Sequence, residues 1–364
     1  MKYFTSQEDT TYFHWQIETY LRNFESVGID LHDCHVIMVY SGQISAKAKE
    51  LQSNYDANFH FYEMPDKCRQ YIAAVKPYGM YRYFSENRVN ESIFYHDADI
   101  IFAEPLKLER LEGGNFMSRT LQRGGMSYID LAYLNQFEGV VKGMSEIMKV
   151  EPKEVGGGAQ YVFTGLNSDY WLKVYEDCFT VFDFLQRSGT KVQVWCAEMW
   201  ATLWNIWYFG EEIEIADELD FCMSRDPIDE LKPIVHNAGL MGAGYFDKGN
   251  YRNSYPPYNL TVKDDMCNHV YFNEVKKIHY IRLKENKMGK IRFIKEGCVD
   301  SKTKKLYQLG EAADLGEERN NNAVKGKVAE WVEQPATEKK EVEKPTVKKA
   351  ATAKKTTTSA KPKK

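Results

Sequence analysis

The stretch "SIFYHDADIIF", residues 92–102, sets an apolar run around two aspartates one residue apart. Asp97 and Asp99 would repel each other and resist burial unless a cation, a proton or water relieves them. Ile93 to His96 read as a buried strand, so the pair falls where that strand leaves a sheet. Upstream, "TYFHWQIETYLRNFESVGI" (11–29) spaces Phe13, Ile17, Tyr20, Leu21, Phe24 and Val27 by threes and fours, which predicts an amphipathic helix closed by Gly28. "HVIMVYSG" (35–42) reads as a buried parallel strand broken at Ser41-Gly42, "FHFYEM" (59–64) as a second strand, and "PYGMYRYFSEN" (77–87) as a helix after Pro77. Helices alternating with buried strands predict an α/β sheet, in which ligands gather at the carboxyl ends of strands. Downstream, "VGGGAQYVFTG" (155–165) joins a glycine-rich turn to a strand, "AEMWATLWNIWYFG" (197–210) is an apolar helix ending at Gly210, and "KPIVHNAGL" (232–240) is a short strand ending in His236.

With 364 residues and 43% hydrophobic content the chain can bury a large core. Its seven cysteines form no C-x-x-C pair or zinc-finger spacing, which argues against a structural zinc or a disulfide scaffold. The first residues lack the apolar core of a signal peptide, and no window reaches the length of a membrane span. The expectation is a protein of a reducing, cytoplasmic compartment. Residues 335–364 carry ten Lys against three Glu, a charge of +7; subtracted from the net −4, this leaves −11 on the rest. That tail of Lys, Ala, Thr and Pro cannot offset its ordering entropy and is expected to be disordered, suited to binding nucleic acid electrostatically or to solubilising the chain. The expected division is a single domain over 1–310, a polar linker over 311–334 holding one short helix, and the tail.

Paired carboxylates at a strand end suit Mn²⁺ or Mg²⁺, and the D-x-D spacing is the device that nucleotide-sugar transferases use to hold a metal against a diphosphate. Asp97 and Asp99 are the candidate metal ligands, with Asp97 also a candidate for the chemistry. His236 follows an apolar run and precedes Gly239, so its imidazole is a candidate third ligand or a contact to the donor's phosphates. Gly156, Gly157 and Gly158 permit close backbone approach, and Gly157, Gly158 and Gln160 are candidate donor-binding residues. Glu198 is the one carboxylate in an otherwise apolar helix, which suggests a catalytic or sugar-holding role. Trp195 and Trp200 beside it could stack on a sugar face, though packing is the commoner duty of such residues.

The blocks "YFHWQIETYLRNFESVG", "KPYGMYRYF", "FYHDADIIFAEPL", "WCAEMWATLW" and "IVHNAGLMGAGYFDKGNY" together resemble, in order over residues 11–260, the plant hydroxyproline O-arabinosyltransferase and peptidyl-serine α-galactosyltransferase families. Comparable genes occur in large DNA viruses and phages. The resemblance implies a GT-A-like, Rossmann-like mixed sheet flanked by helices and a metal-dependent, retaining transfer of arabinose or galactose from a UDP-sugar to a hydroxyl. Carried onto this chain, it places Asp97 and Asp99 at the D-x-D position, where the plant pattern has Glu-x-Asp, and it matches Glu198 and His236 to site residues. The plant enzymes have a secretory anchor and none is expected here, so a hydroxymethylated DNA base, a protein hydroxyl or a growing glycan replaces secreted wall protein as the expected acceptor. A phosphatase of the haloacid-dehalogenase type would need D-x-D on the first strand, with Thr or Val where Ile101 stands. The alternative outside enzymology is an inactive fold of this class serving as a binding or virion-associated protein tethered by its tail.

Overall fold

The structure, a computed structural model, describes residues 1–119, 129–239, 241–257 and 259–287 together with five short strands beyond them. The chain runs β1 (Lys2–Glu8), α1 (Thr11–Ser26), β2 (Cys34–Tyr40), α2 (Ala46–Asn54), β3 (Asn58–Glu63), α3 (Val75–Glu86), β4 (Ile93–His96) and β5 (Ile100–Phe102). It continues through β6 (Phe116–Met117), α4 (Leu131–Leu134), α5 (Val140–Met148), β7 (Gln160–Phe163), α6 (Ser168–Arg187), α7 (Ala197–Tyr208), β8 (Glu214–Ile215), β9 (Phe221–Met223), β10 (Ile234–His236) and α8 (Asn268–Lys287).

Seven strands form the main sheet in the order β3-β2-β1-β4-β7-β6-β8. Strands β3, β2, β1 and β4 are mutually parallel, β7 is antiparallel to both β4 and β6, and β6 is parallel to β8. This is the expected Rossmann-like mixed sheet flanked by helices. Alternation along β2 shows why both faces are covered: Val36 and Met38 pack with Ile17 and Leu21 of α1, whereas Ile37 and Val39 join the core of α3, α6 and α7. A smaller sheet, β5-β10-β9, stands beside the main one, with its own core formed by Val235, Cys222, Trp15 and the first turns of α8.

Two features depart from expectation. Strand β1 has no apolar run, because polar Thr5, Ser6 and Gln7 follow Phe4 as its buried residues, yet it lies in the middle of the parallel half. Helix α3 begins at Val75 and not after Pro77; the proline sits in the first turn, where a missing N–H leaves no intrahelical bond unmade.

The contacts divide the chain into a compact unit Met1–Arg282 and a second unit Leu283–Lys364. In the second unit β11 (Ile291–Phe293) pairs with β14 (Ala312–Ala313) and β15 (Ala329–Trp331), while β12 (Cys298–Val299) and β13 (Leu306–Tyr307) form a hairpin. Strands β14 and β15 fall within the segment expected as a linker over 311–334, whose other residues lie outside the described ones. The tail over 335–364 lies outside the described residues. No described helix is long and apolar enough to cross a membrane.

Candidate active site

Strand order reverses between β1 and β4, and an open α/β sheet binds ligands at the carboxyl ends of the strands flanking such a point. A cleft of about 680 Å³ opens there, lined by Gln7 and Glu8 at the end of β1, by Tyr12 of α1, by Lys76 of α3, and by Lys248 and Arg252 from the segment after β10. Its floor on the β1 side is fixed by Asp9, which accepts hydrogen bonds from the Ser45 amide at 2.8 Å and the Ser45 hydroxyl at 2.6 Å and meets His14 Nε2 at 2.6 Å. Burial would raise the Asp9 carboxyl, but the bonds from His14 and Ser45 outweigh it and hold the group below its usual range.

Asp97 and Asp99 occupy the turn between β4 and β5, and β10 runs antiparallel to β5 with His236 opposite Ile100. That pairing brings the third residue in: ligand atoms of Asp97, Asp99 and His236 all lie within 4.8 Å of one another. His236 Nε2 is 3.2 Å from Asp99 Oδ1 and 3.7 Å from Asp97 Oδ2. The Asn237 amide donates to the Asp99 carbonyl at 2.9 Å, which locks the turn to the strand. Farther along, Asn268 at the start of α8 donates to Asn237 Oδ1 at 2.8 Å and accepts from the Phe246 amide at 3.0 Å, fixing the loop that delivers Lys248.

Lys76 and Lys248 were not singled out from sequence, although both stand inside the ordered blocks that carried the resemblance. Lys248 Nζ donates to Asp99 Oδ2, and Lys76 Nζ lies 2.7 Å from Asp97 Oδ1 and 3.4 Å from Glu198 Oε2. Burial alone would raise the Asp99 carboxyl; Lys248 and His236 overcome that and hold it well below the ordinary carboxylate range. For Glu198 the balance differs: burial pushes its carboxyl up, with Lys76 opposing and Asp97 adding to the rise. Burial opposes the charge on Lys76, yet Asp97 and Glu198 keep its pKa well above the usual value. Each buried charge thus has an opposite partner, without which the fold could not hold it.

The donor atoms fit a divalent cation: two carboxylates and an imidazole on one small locus form a mixed O,N set of the kind Mn²⁺ accepts, and Mg²⁺ accepts the carboxylates. Other expected site residues lie elsewhere or are enclosed. Gly156, Gly157 and Gly158 are buried, and what approaches them is the chain itself: a Cβ would meet Asp130 at Gly156, the Ser118 carbonyl at Gly157 and the Tyr161 hydroxyl at Gly158. Gln160 pairs with His96 across the sheet, is wholly buried, and donates its amide to the Leu219 carbonyl at 2.7 Å. Of the two tryptophans near Glu198, Trp200 is core and Trp195 lines the cleft with 57% of its surface exposed.

No family model matches the chain, and no curated protein matches it. Among solved structures it is similar to the galactosyltransferase LgtC in complex with donor and acceptor sugar analogues, at 10% identity and a TM-score of 0.44, over 76% of this chain and 96% of that one. The apo form of the glycosyltransferase GlyE from Streptococcus pneumoniae TIGR4 matches at 9% identity and a TM-score of 0.40, over 76% of this chain and 62% of that one. The bifunctional glycosyltransferase WbbM matches at 8% and 0.38, over 77% and 50%.

Proposed function

We propose that the chain is a metal-dependent glycosyltransferase that moves a sugar, arabinose or galactose, from a UDP-linked donor to a hydroxyl with retention of configuration. The observation that carries this reading is the convergence of Asp97, Asp99 and His236 at the switch point of the sheet, beside a cleft walled by Lys76 and Lys248. Asp97, Asp99 and His236 would hold Mn²⁺ or Mg²⁺, which supplies Lewis-acid neutralisation of charge on a departing diphosphate. The two lysines line the cleft and present their ammonium groups to the same phosphates. Glu198, buried and turned toward Lys76, orients a donor or acceptor hydroxyl, while the departing phosphate oxygen takes the acceptor's proton.

Calorimetric titration of UDP, with GDP as control, tests the reading in the presence of Mn²⁺ and of EDTA, on wild type and Asp99→Ala. Tight UDP binding that needs Mn²⁺ and disappears in the variant is expected. Absence of binding to either nucleotide would sink the proposal. Binding with no turnover of any UDP-sugar would favour the inactive binding protein.

A further inference from the structure

Trp195 is the most exposed large hydrophobic side chain among the described residues, at 57%, and it lies on the wall of the cleft. An indole in that position is either an idle surface group or a platform. Its mounting favours the second. The Tyr71 hydroxyl donates to the Trp195 carbonyl and accepts from the Glu198 amide at 3.0 Å, so a single buried group sets both residues. Tyr71 meets the indole edge-on at 5.8 Å and stacks on Phe182 at 4.3 Å, which stiffens the support. The backbones of Trp195 and Glu198 are therefore tied through one hydroxyl, and the Glu198 carboxylate is joined through Lys76 to Asp97. An exposed indole and the Lys76 ammonium lining the same cleft suit a sugar ring, with C–H groups against the indole and hydroxyls toward the charge.

We infer that Trp195 is the acceptor platform and that the acceptor is a glycoside, a reading that rests on the transferase proposal. Transfer then joins the acceptor hydroxyl oxygen to the anomeric carbon as the anomeric bond to the diphosphate breaks. The hydroxyl proton passes to the departing phosphate oxygen, leaving a longer glycoside and a nucleoside diphosphate. A nucleobase could also stack on indole, but single-stranded nucleic acid needs a positive groove along its backbone, and the Lys76 and Lys248 ammonium groups of this cleft are already engaged by Asp97, Glu198 and Asp99.

Saturation-transfer NMR with methyl β-galactopyranoside, lactose and a short single-stranded DNA tests the platform without any donor. Glycoside contact is expected in wild type, lost in Trp195→Ala and kept in Trp195→Phe. With a UDP-sugar present, Trp195→Ala should raise the acceptor KM about tenfold with a smaller change in kcat. Glycoside contact that is absent from wild type or survives Trp195→Ala, or contact with DNA in its place, would overturn the inference. Failure of the UDP titration with glycoside contact intact would remove the transferase and leave the platform; the reverse pattern would remove the platform alone.

Discussion

At the scale of single residues, the site is governed by which ammonium group each buried carboxylate meets. Asp99 and Glu198 are both almost fully buried, yet burial prevails at Glu198 and the cations prevail at Asp99. The difference follows from geometry: Asp99 has Lys248 and His236 on its two oxygens, while Glu198 shares Lys76 with Asp97. Replacing Glu198 by Gln keeps the shape and leaves Lys76 paired with Asp97. The expected outcome is a fold of unchanged thermal midpoint and a kcat lowered about a hundredfold through loss of orientation. Full turnover in a steady-state assay would show that Glu198 has no part in the reaction.

At the scale of elements, the strands legible in the sequence were those whose two faces are both apolar, such as β2, or which end in a chemically odd residue, such as β4 and β10. Strand β1 was illegible because three of its four buried positions, Thr5, Ser6 and Gln7, are polar, and those are buried for a tertiary reason. Ser6 donates to the Val75 carbonyl at 3.2 Å and lies under Gly79 of α3, where an added Cβ would come 2.2 Å from Ser6 Oγ and 2.8 Å from Ile37 Cγ2. Only a small residue on the strand and a glycine on the helix permit this approach, a pairing that no periodicity encodes. Gly79→Ala should therefore destabilise the fold by about 1–3 kcal/mol, read as a lower urea midpoint. The glycine turn before β7 shows a related limit, since a glycine run signals close approach but not what approaches, and here Asp130, Ser118 and Tyr161 are the neighbours. Across the same sheet, His35 of β2 meets His60 of β3 at 3.2 Å between ring nitrogens. Burial, with its neighbour's charge, lowers His35 to about 4, and burial lowers His60 to about 4. The unfolded chain, with histidines near 6.5, then takes up protons first as pH falls. Stability should be full above pH 6.5 and decline toward pH 4, and a His60→Phe variant should flatten that slope in urea titrations at stepped pH.

At the scale of the whole molecule, the aspartate pair and His236 were legible from sequence because chemistry marks them locally. Lys76 and Lys248 were not, because their meaning lies in partners that only the fold supplies. The compact unit Met1–Arg282 holds the main sheet, the small sheet and every residue placed in the site. A chain ended after Lys287 is expected to keep the urea midpoint of the full protein and its Mn²⁺-dependent UDP binding; loss of either would show that the second unit is needed. The strand order has a bearing on birth as well as on binding. The parallel half of the sheet, β3-β2-β1-β4, is complete once His96 has been made, whereas the turn after β4 receives His236 only when β10 arrives much later. On a ribosome, where chains emerge from the N-terminus and non-local pairings form last, this protein acquires its framework first and its chemistry second. A nascent chain halted after Asp99 and before β10 would carry both aspartates with nothing yet to complete them.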